Sequence, residues 1–369
     1  MSRMPARARP CRSVVKLAGL LVVAGLVLTV AAWAVFVPQR PAPSGPHPVG
    51  QIELALRAPN RQPISVTVWY PSKAAQTGSV STESTPLDTR TPAPLILYSP
   101  GWGGRRWQSS VLAENLASYG FVVVGCDDYA SDPAADPDRG VSLDLSSDAA
   151  MAATLERGGR HVETQAVRLL DILKALADGQ PSFLRGRVDL TRVGVVGYSI
   201  GGAAGLQAAL TDTRIVAVVN IDGGLFGPPA SKIGSEAYFL ISSREAFPSK
   251  SELASTNPSI RNYALISAAD IPRNTLRMEK PGSHWMQLPA ADHGDLSDEL
   301  FTFSRARPFR TNFERRAMST AVVKHTVAFL DGVLRGDNKA MLGLAGRNDQ
   351  TVRWISFTST PPGTASARQ

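Results

Sequence analysis

The chain has 369 residues, of which 43% are hydrophobic, and a formal net charge of +8. This length can bury one large core, because α/β domains of roughly 200–300 residues often fold as a single unit. Residues 1–37 contain five basic residues and no acidic ones, so the remainder of the chain carries a net charge of only +3. No run of Lys and Arg is interleaved with aromatic residues, and the sequence therefore predicts no nucleic-acid partner.

Residues 17–37, LAGLLVVAGLVLTVAAWAVFV, carry no charge and are long enough to cross a bilayer as a helix. The basic segment 1–16 before them predicts that the N-terminus stays inside and that the bulk of the chain is exported. Two interpretations stay open: a retained membrane anchor, or a signal peptide cleaved near the small-x-small triplet that Ala32 and Ala34 form. We therefore expect a folded domain outside the cytoplasm, membrane-anchored or secreted.

The two cysteines predict no disulfide within the chain. Cys11 would lie on the cytoplasmic side of the apolar segment, and Cys126 closes an apolar run typical of a buried strand. A Pro-rich linker, 38–50, is expected to lead into one folded domain over 51–336, followed by a tail over 337–369.

Short apolar runs alternate with longer amphipathic segments along the domain. The runs that predict strands are ISVTVWYP (64–71), PLILYS (94–99), YGFVVVGC (119–126), RVGVVGYS (192–199), IVAVVNID (215–222), AYFLISS (237–243) and HWMQLP (284–289). The segments that predict helices are WQSSVLAENLASYG (107–120), HVETQAVRLLDILKALADG (161–179), the alanine-rich segment after residue 200 and AVVKHTVAFLDGVLRG (321–336).

Continuous β-branched strands that alternate with helices predict an α/β fold, with a mostly parallel sheet covered by helices on both faces. In such sheets, ligands bind at the carboxyl ends of the strands. Residues 129–160 are polar and are expected to form an excursion beside that edge, with no role that the sequence reveals.

Ser199 lies in the pattern G-x-S-x-G, Gly197-Tyr198-Ser199-Ile200-Gly201, between a predicted strand and a predicted helix. In this context the glycines permit a tight turn that lifts the serine out of the chain, which is typical of a nucleophile. The alternative is a structural serine at a strand end.

A serine nucleophile needs a base, which a carboxylate orients, in the chain order Ser, acid, His. His293, in the loop after the last strand, is the preferred base, and His284 is the reserve. His325 lies inside the closing helix, and His47 and His161 precede the serine. Asp222, at the end of a strand, is the preferred acid, and Glu245, after the next strand, is its rival.

The oxyanion of a tetrahedral intermediate requires backbone N–H donors. We expect them from Ile200, directly after the serine, and from Trp102 in the glycine-rich segment Pro100–Gly104. The Trp102 indole is also expected to wall the substrate pocket. Asp127 and Asp128 end an earlier strand and are expected to be loop-ordering carboxylates. No metal-ligand or cofactor motif is present, so we expect neither a metal nor an organic cofactor.

With these motifs, residues 52–335 resemble the α/β-hydrolase superfamily, in the branch of platelet-activating factor acetylhydrolases, dienelactone-hydrolase-like proteins and bacterial polyester hydrolases. The residues that carry the resemblance are VWYP, LILYSPGWGG, LASYGFVVVGCDDYASDP, VGVVGYSIGG, NIDGG and HGDLSD. The acetylhydrolases imply an acid at Asp222, whereas the polyester hydrolases imply Glu245. The chain departs from the branch at Tyr198, where His is usual, and in Ser-Pro-Gly, where acetylhydrolases have Ser-His-Gly.

The sequence thus predicts a serine hydrolase of carboxylic esters, with a small-molecule or lipid-like ester as its substrate and no specific protein partner. A peptidase or thioesterase of the same fold is the nearest alternative. A binding module on a hydrolase scaffold without catalytic activity is the alternative from another functional class.

Overall fold

The structure is a computed structural model that describes residues 12–57, 63–73, 92–129, 143–303, 309–337, 339 and 350–356. For residues 12–20, 28, 30 and 31 it describes the backbone alone.

The strands of the described residues form one nine-stranded sheet in the order β1-β2-β4-β3-β5-β6-β7-β8-β9. Their bounds are β1 Val49–Leu56, β2 Ile64–Pro71, β3 Ala93–Ser99, β4 Val122–Cys126, β5 Val188–Tyr198, β6 Ile215–Ile221, β7 Ala237–Ser242, β8 His284–Gln287 and β9 Arg353–Trp354. β1, β2 and β9 run antiparallel to their neighbours, and β3 to β8 run parallel to one another. The predicted mostly parallel sheet is therefore confirmed.

Helices cover both faces of this sheet. Their bounds are α1 Arg12–Phe36, α2 Ser110–Ser118, α3 Asp148–Ala177, α4 Ile200–Ala209, α5 Lys250–Leu253, α6 Pro258–Met278 and α7 Asn312–Leu330. α3 and α4 pack against one face, and α2 and α7 pack against the other. The strands β3, β4, β6 and β7 and the second half of β5 are almost wholly buried, as the continuous Val, Ile and Leu runs predict for a sheet covered on both sides.

The register aligns the carboxyl ends of the central strands. Ser99 of β3 pairs with Gly197 of β5, and Tyr198 of β5 pairs with Ile221 of β6. Ile221 in turn pairs with Ile241 of β7. The segments that follow β3, β5, β6 and β7 consequently leave the sheet at one edge, where parallel sheets place their ligand sites.

The helix α1 contains most of the segment that was predicted to cross a bilayer. In the part of the chain that the structure describes, no helix is both long and apolar enough to span a membrane. Both the anchor and the signal peptide stay predictions. The end of α1 contacts the start of α7, where the Asn312 side chain donates hydrogen bonds of 2.8 Å to the carbonyls of Ala34 and Val37.

Four features differ from the expectations. The helices α5 and α6 were not predicted. Residues 148–160 of the expected polar excursion are helical and extend α3 toward its N-terminus, where Ser147 caps the helix by accepting from the Ala150 N–H. β1 was not predicted, and its first two residues fall within the expected linker 38–50. β9 lies within the predicted tail 337–369 and pairs with β8, so the folded domain extends past residue 336.

Candidate active site

Ser199 occupies the sharp turn between β5 and α4. Its backbone is left-handed, with φ 54° and ψ −132°. This conformation is unfavourable for any residue other than glycine, and such strained residues cluster at functional sites. A Cβ on Gly197 would lie 2.2 Å from the backbone of Gly201, and a Cβ on Gly201 would lie 2.3 Å from the Ser99 carbonyl oxygen. Glycine is therefore required at both positions by close backbone approach, as the G-x-S-x-G pattern indicates.

The structure brings Ser199, His293 and Asp222 together. The Ser199 Oγ lies 3.2 Å from the His293 Nε2, and the His293 Nδ1 lies 2.8 Å from the Asp222 Oδ2. The imidazole is thus within hydrogen-bond reach of a hydroxyl on one nitrogen and of a carboxylate on the other. This is the geometry that a serine nucleophile, its base and an orienting acid require.

The turn after β6 holds Asp222. Asp222 also has a left-handed backbone, with φ 54°, and its Oδ1 accepts a 2.7 Å hydrogen bond from the Ser243 N–H. The Asn220 side chain accepts from the Gly223 N–H at 2.8 Å and donates to the Gly223 carbonyl at 2.9 Å, which locks the turn. The carboxylate therefore has one oxygen for the backbone of the next strand end and one for the imidazole.

The two reserve residues, Glu245 and His284, make other contacts. The Glu245 carboxylate accepts a 2.7 Å hydrogen bond from the Tyr263 hydroxyl, and no hydrogen bond joins it to His293 in the described residues. The His284 ring lies at the start of β8, opposite the carboxyl edge of that strand, and packs edge-on against Phe239, Phe329 and Trp354.

Charges near His293 favour its protonated form. Burial lowers the pKa of His293, but the hydrogen bond that its ring donates to Asp222 and the charges of Asp222, Glu245 and Glu299 outweigh this effect, so the pKa is raised above its usual value. The imidazole side chain is 35% exposed, which leaves it open to substrate and water. At neutral pH His293 is therefore closer to its charged form than a free histidine would be.

Tyr198, where the sequence departs from the branch that it resembles, contacts His293 directly. Its ring stacks on the His293 imidazole with centroids 5.0 Å apart and an angle of 27° between the planes. Its hydroxyl donates a 3.1 Å hydrogen bond to the His293 carbonyl. Tyr198 therefore holds both the ring and the backbone of the residue that faces Ser199.

The acidic stretch HGDLSD orders the loop that carries His293. The Asp295 carboxylate accepts from the Asp292 N–H at 2.9 Å and from the Arg310 guanidinium at 2.5 Å. Arg310 also donates to the Ala290 carbonyl at 2.7 Å.

Asp298 accepts from the Ser110 hydroxyl at 2.6 Å and so connects the loop to the start of α2. Sequence reasoning missed Arg310, because its partner lies 15 residues away and no motif links the two.

The glycine-rich segment after β3 forms a tight turn beside Ser199. The Gly104 N–H donates to the Gly101 carbonyl at 2.8 Å, and Gly103 has φ +66°, the arrangement of a type II turn with Trp102 and Gly103 at its centre. A Cβ on Gly101 would lie 3.3 Å from the Ser199 Cβ. In the described part of the chain, the N–H groups of Trp102 and Ile200 donate to no protein acceptor, so both are available to a ligand.

Asp127 and Asp128 bind the residues of this loop. The Asp127 carboxylate accepts from the Arg106 N–H at 2.9 Å and from its guanidinium at 2.6 Å. The Asp128 carboxylate accepts from the Gly103 N–H at 2.6 Å.

Cys126, directly before Asp127, is buried, and burial raises the pKa of its thiol to about 12, as expected of an inert core cysteine.

A mostly apolar cleft, partly open to solvent, extends from Ser199 and His293 toward α6. Its apolar lining comprises Leu143, Leu145, Phe226, Leu240, Ala246, Ile266, Ile271 and Trp285. Three carboxylates, Asp222, Glu245 and Asp270, also line it, and burial raises the pKa of Asp270. The Trp102 indole, which was expected to wall the pocket, is not among the described lining residues and packs instead against the buried cluster of Val162, Ile200, Ala203 and Phe226.

Among the described residues, no group of three or more His, Cys, Asp or Glu side chains is arranged to hold a metal ion. The expectation that the chain uses neither a metal nor an organic cofactor stays a prediction.

Comparison with known proteins gives a consistent set of relatives. The family model of PET hydrolase-like proteins matches residues 153–223, which include Ser199 and Asp222. Platelet-activating factor acetylhydrolase of Canis lupus familiaris is 27% identical over 201 residues, which are 46% of this chain and 45% of that protein. A probable 1-alkyl-2-acetylglycerophosphocholine esterase of Arthroderma benhamiae is 28% identical over 136 residues, or 36% of this chain and 32% of that protein.

The chain thus spans less than half the length of the curated relatives that it matches. Among solved structures, a ferulic acid esterase from Streptomyces cinnamoneus superposes with a TM-score of 0.63 at 22% identity. The alignment covers 87% of this chain and all of that one, which shows that the two share a fold.

Proposed function

This chain belongs to the α/β-hydrolases, in the family that includes platelet-activating factor acetylhydrolases and PET hydrolase-like proteins, and we propose that it hydrolyses carboxylic esters through an acyl-enzyme on Ser199. The observation that carries the proposal is the chain of contacts from Ser199 Oγ through His293 to Asp222, at 3.2 Å and 2.8 Å. A serine hydroxyl attacks a carbonyl only when a neighbouring base removes its proton.

In the proposed mechanism, the Ser199 Oγ attacks the ester carbonyl carbon and the His293 Nε2 accepts the hydroxyl proton. Asp222 keeps the Nδ1 proton directed toward its carboxylate and stabilises the imidazolium that forms. The carbonyl oxygen gains negative charge, which the N–H groups of Ile200 and Trp102 stabilise. The first of these donors lies at the N-terminus of α4, where the helix dipole adds to its effect.

Collapse of the tetrahedral intermediate breaks the bond to the alkoxy oxygen, which takes the proton from His293 and leaves as an alcohol. A water molecule then gives a proton to His293 and attacks the acyl carbon, and the second intermediate releases the carboxylic acid. Ser199 regains its proton, so the cycle needs no cofactor and consumes one water per ester.

We further propose an ester with an apolar portion as the substrate, because the cleft beside Ser199 has mainly apolar walls. Membrane attachment or secretion through residues 17–37 is part of the same proposal and rests on the sequence alone.

Turnover of p-nitrophenyl esters of graded acyl length, with Ser199→Ala as the matched control, tests this function. We expect wild-type turnover that depends on acyl length and a loss of about 10⁴-fold or more in the variant. A wild-type rate equal to that of Ser199→Ala across the series would contradict ester hydrolysis and favour a binding module.

A further inference from the structure

A second histidine and aspartate pair lies beside the loop that carries Trp102. The His161 Nε2 lies 2.8 Å from the Asp128 Oδ1, and the two side chains are 1% and 0% exposed. His161 belongs to α3 and Asp128 follows β4, so neither is part of the proposed triad. A carboxylate so fully removed from water is costly unless its oxygens are paired, and both oxygens of Asp128 are paired here.

The second oxygen of this carboxylate binds the loop. The Asp128 Oδ2 accepts the 2.6 Å hydrogen bond from the Gly103 N–H, and the Asp128 N–H donates to the Gly104 carbonyl at 3.0 Å. Asp128 therefore holds two consecutive residues of the turn from Gly101 to Gly104. Because its N–H is taken by Asp128, Gly103 cannot offer that donor to a substrate.

These bonds determine where the Trp102 N–H points. That N–H shares a peptide plane with the Gly101 carbonyl, which accepts from the Gly104 N–H at 2.8 Å. The carbonyl therefore points into the turn and the N–H points away from it. Asp128 fixes the far side of the same turn, and Gly101 approaches the Ser199 side chain on the near side.

The His161 ring holds the side chain of the same residue. The Trp102 indole packs on the imidazole with centroids 4.6 Å apart, and the Tyr129 ring packs on it at the same distance. The pair thus contacts the backbone of Gly103 through the carboxylate and the side chain of Trp102 through the imidazole.

From these contacts we infer that His161 and Asp128 are positioning residues for the oxyanion donor at Trp102. The inference rests on the proposed function, since a donor has a role only if a tetrahedral oxyanion forms. Removal of one such donor typically costs 10²–10³-fold in kcat, so its displacement is expected to cost about 10–100-fold.

The test uses the full chain and p-nitrophenyl butyrate, with kcat and KM measured separately. His161→Leu removes the imidazole, and His161→Gln restores a donor that can reach Asp128. His325→Leu is the matched control, because that histidine is also 1% exposed but lies in α7 on the other face of the sheet. Inhibition by a trifluoromethyl ketone, which forms a tetrahedral adduct on serine, reports the oxyanion site directly.

We expect His161→Leu to lower kcat by about 10–100-fold and to change KM by less than about threefold. Inhibition by the trifluoromethyl ketone should weaken by a similar factor to kcat. His161→Gln is expected to recover most of both losses, and His325→Leu to leave kcat within about twofold of wild type. Trp102→Ala, at a partly exposed side chain, provides a second variant should His161→Leu not fold, with an expected loss in kcat of about fivefold or more.

The inference is overturned if His325→Leu matches the loss of His161→Leu, if His161→Gln recovers nothing, or if Trp102→Ala keeps the wild-type kcat. An inactive wild-type protein would instead overturn the proposed function, and with it the need for an oxyanion donor.

Discussion

Two histidine and aspartate pairs lie near the carboxyl edge of the sheet, each joined by a contact of 2.8 Å, yet they differ in access to solvent. In one pair, His293 is 35% exposed, binds Asp222 through Nδ1 and turns Nε2 to Ser199. In the other, His161 is 1% exposed, binds Asp128 through Nε2 and lies between two aromatic rings. The same two residue types thus suit proton transfer where a nitrogen faces a nucleophile, and suit loop positioning where the ring is enclosed.

The largest expected effect separates the two histidines that follow Ser199 in the chain and could act as its base. His293→Ala is expected to lower kcat/KM for ester hydrolysis by about 10⁴-fold or more, because Ser199 then has no base. His284→Ala serves as its control, since that ring packs among Phe239, Phe329 and Trp354. It should lower the melting temperature while ester turnover persists. If only His284→Ala abolishes turnover, His284 is the base and the assignment of His293 is wrong.

The next effect tests the acid. Asp222→Asn should lower kcat by about 10⁴-fold, because an amide at this position no longer favours the tautomer with a proton on Nδ1 and does not stabilise the imidazolium. Glu245→Gln should cost less than about tenfold, since Glu245 binds the Tyr263 hydroxyl rather than the imidazole. Steady-state kinetics on one soluble ester compares the two, and the reverse order of losses would make Glu245 the acid.

Each imidazole packs against an aromatic ring of a segment beside Ser199, that of Tyr198 for His293 and that of Trp102 for His161. Tyr198→Phe keeps the stacked ring but loses the hydrogen bond to the His293 carbonyl. A bond of this kind contributes about 1 kcal/mol, so we expect kcat to fall by about fivefold. Tyr198→Leu, which also removes the ring, should cost more; equal losses in the two variants would deny the ring a role.

The smallest effect is a shift in the pH profile. The His293 pKa is raised above its usual value in part by the negative charge of Glu245, so Glu245→Gln should lower it. Because only the neutral imidazole accepts the Ser199 proton, the acid limb of the kcat/KM profile should move to lower pH. A shift to higher pH, or none, would mean that the Glu245 charge does not act on the base.

Much of this site could be predicted from the sequence, because its chemistry lies in short local patterns. Gly197 and Gly201 on either side of Ser199 predict a tight turn that only glycine permits. The order of the predicted strands then allowed four further site residues to be proposed from their positions, Asp222, His293, Trp102 and Ile200. The alternating apolar runs also predicted the parallel sheet and its covered faces, which the structure confirms.

The remaining features depend on contacts between distant residues. His161 was set aside because it precedes Ser199, yet the packing of α3 brings it to Asp128, 33 residues away. Tyr198 stood out as a departure from its relatives, but only the stacking on His293, 95 residues later, gives it a contact. The choice between Asp222 and Glu245 required the geometry of the turns after β6 and β7, because the sequence permits a carboxylate acid in either turn.

Labelling with a fluorophosphonate probe, followed by mass spectrometry of the modified peptide, tests the central claim most directly. The probe reacts with a serine that a neighbouring base activates, so the account predicts one adduct, on Ser199 of the folded wild-type protein. The adduct should be lost in His293→Ala and after denaturation. A folded wild-type protein that stays unlabelled at Ser199, or is labelled equally in the His293 variant, would contradict the assignment of Ser199 as an activated nucleophile.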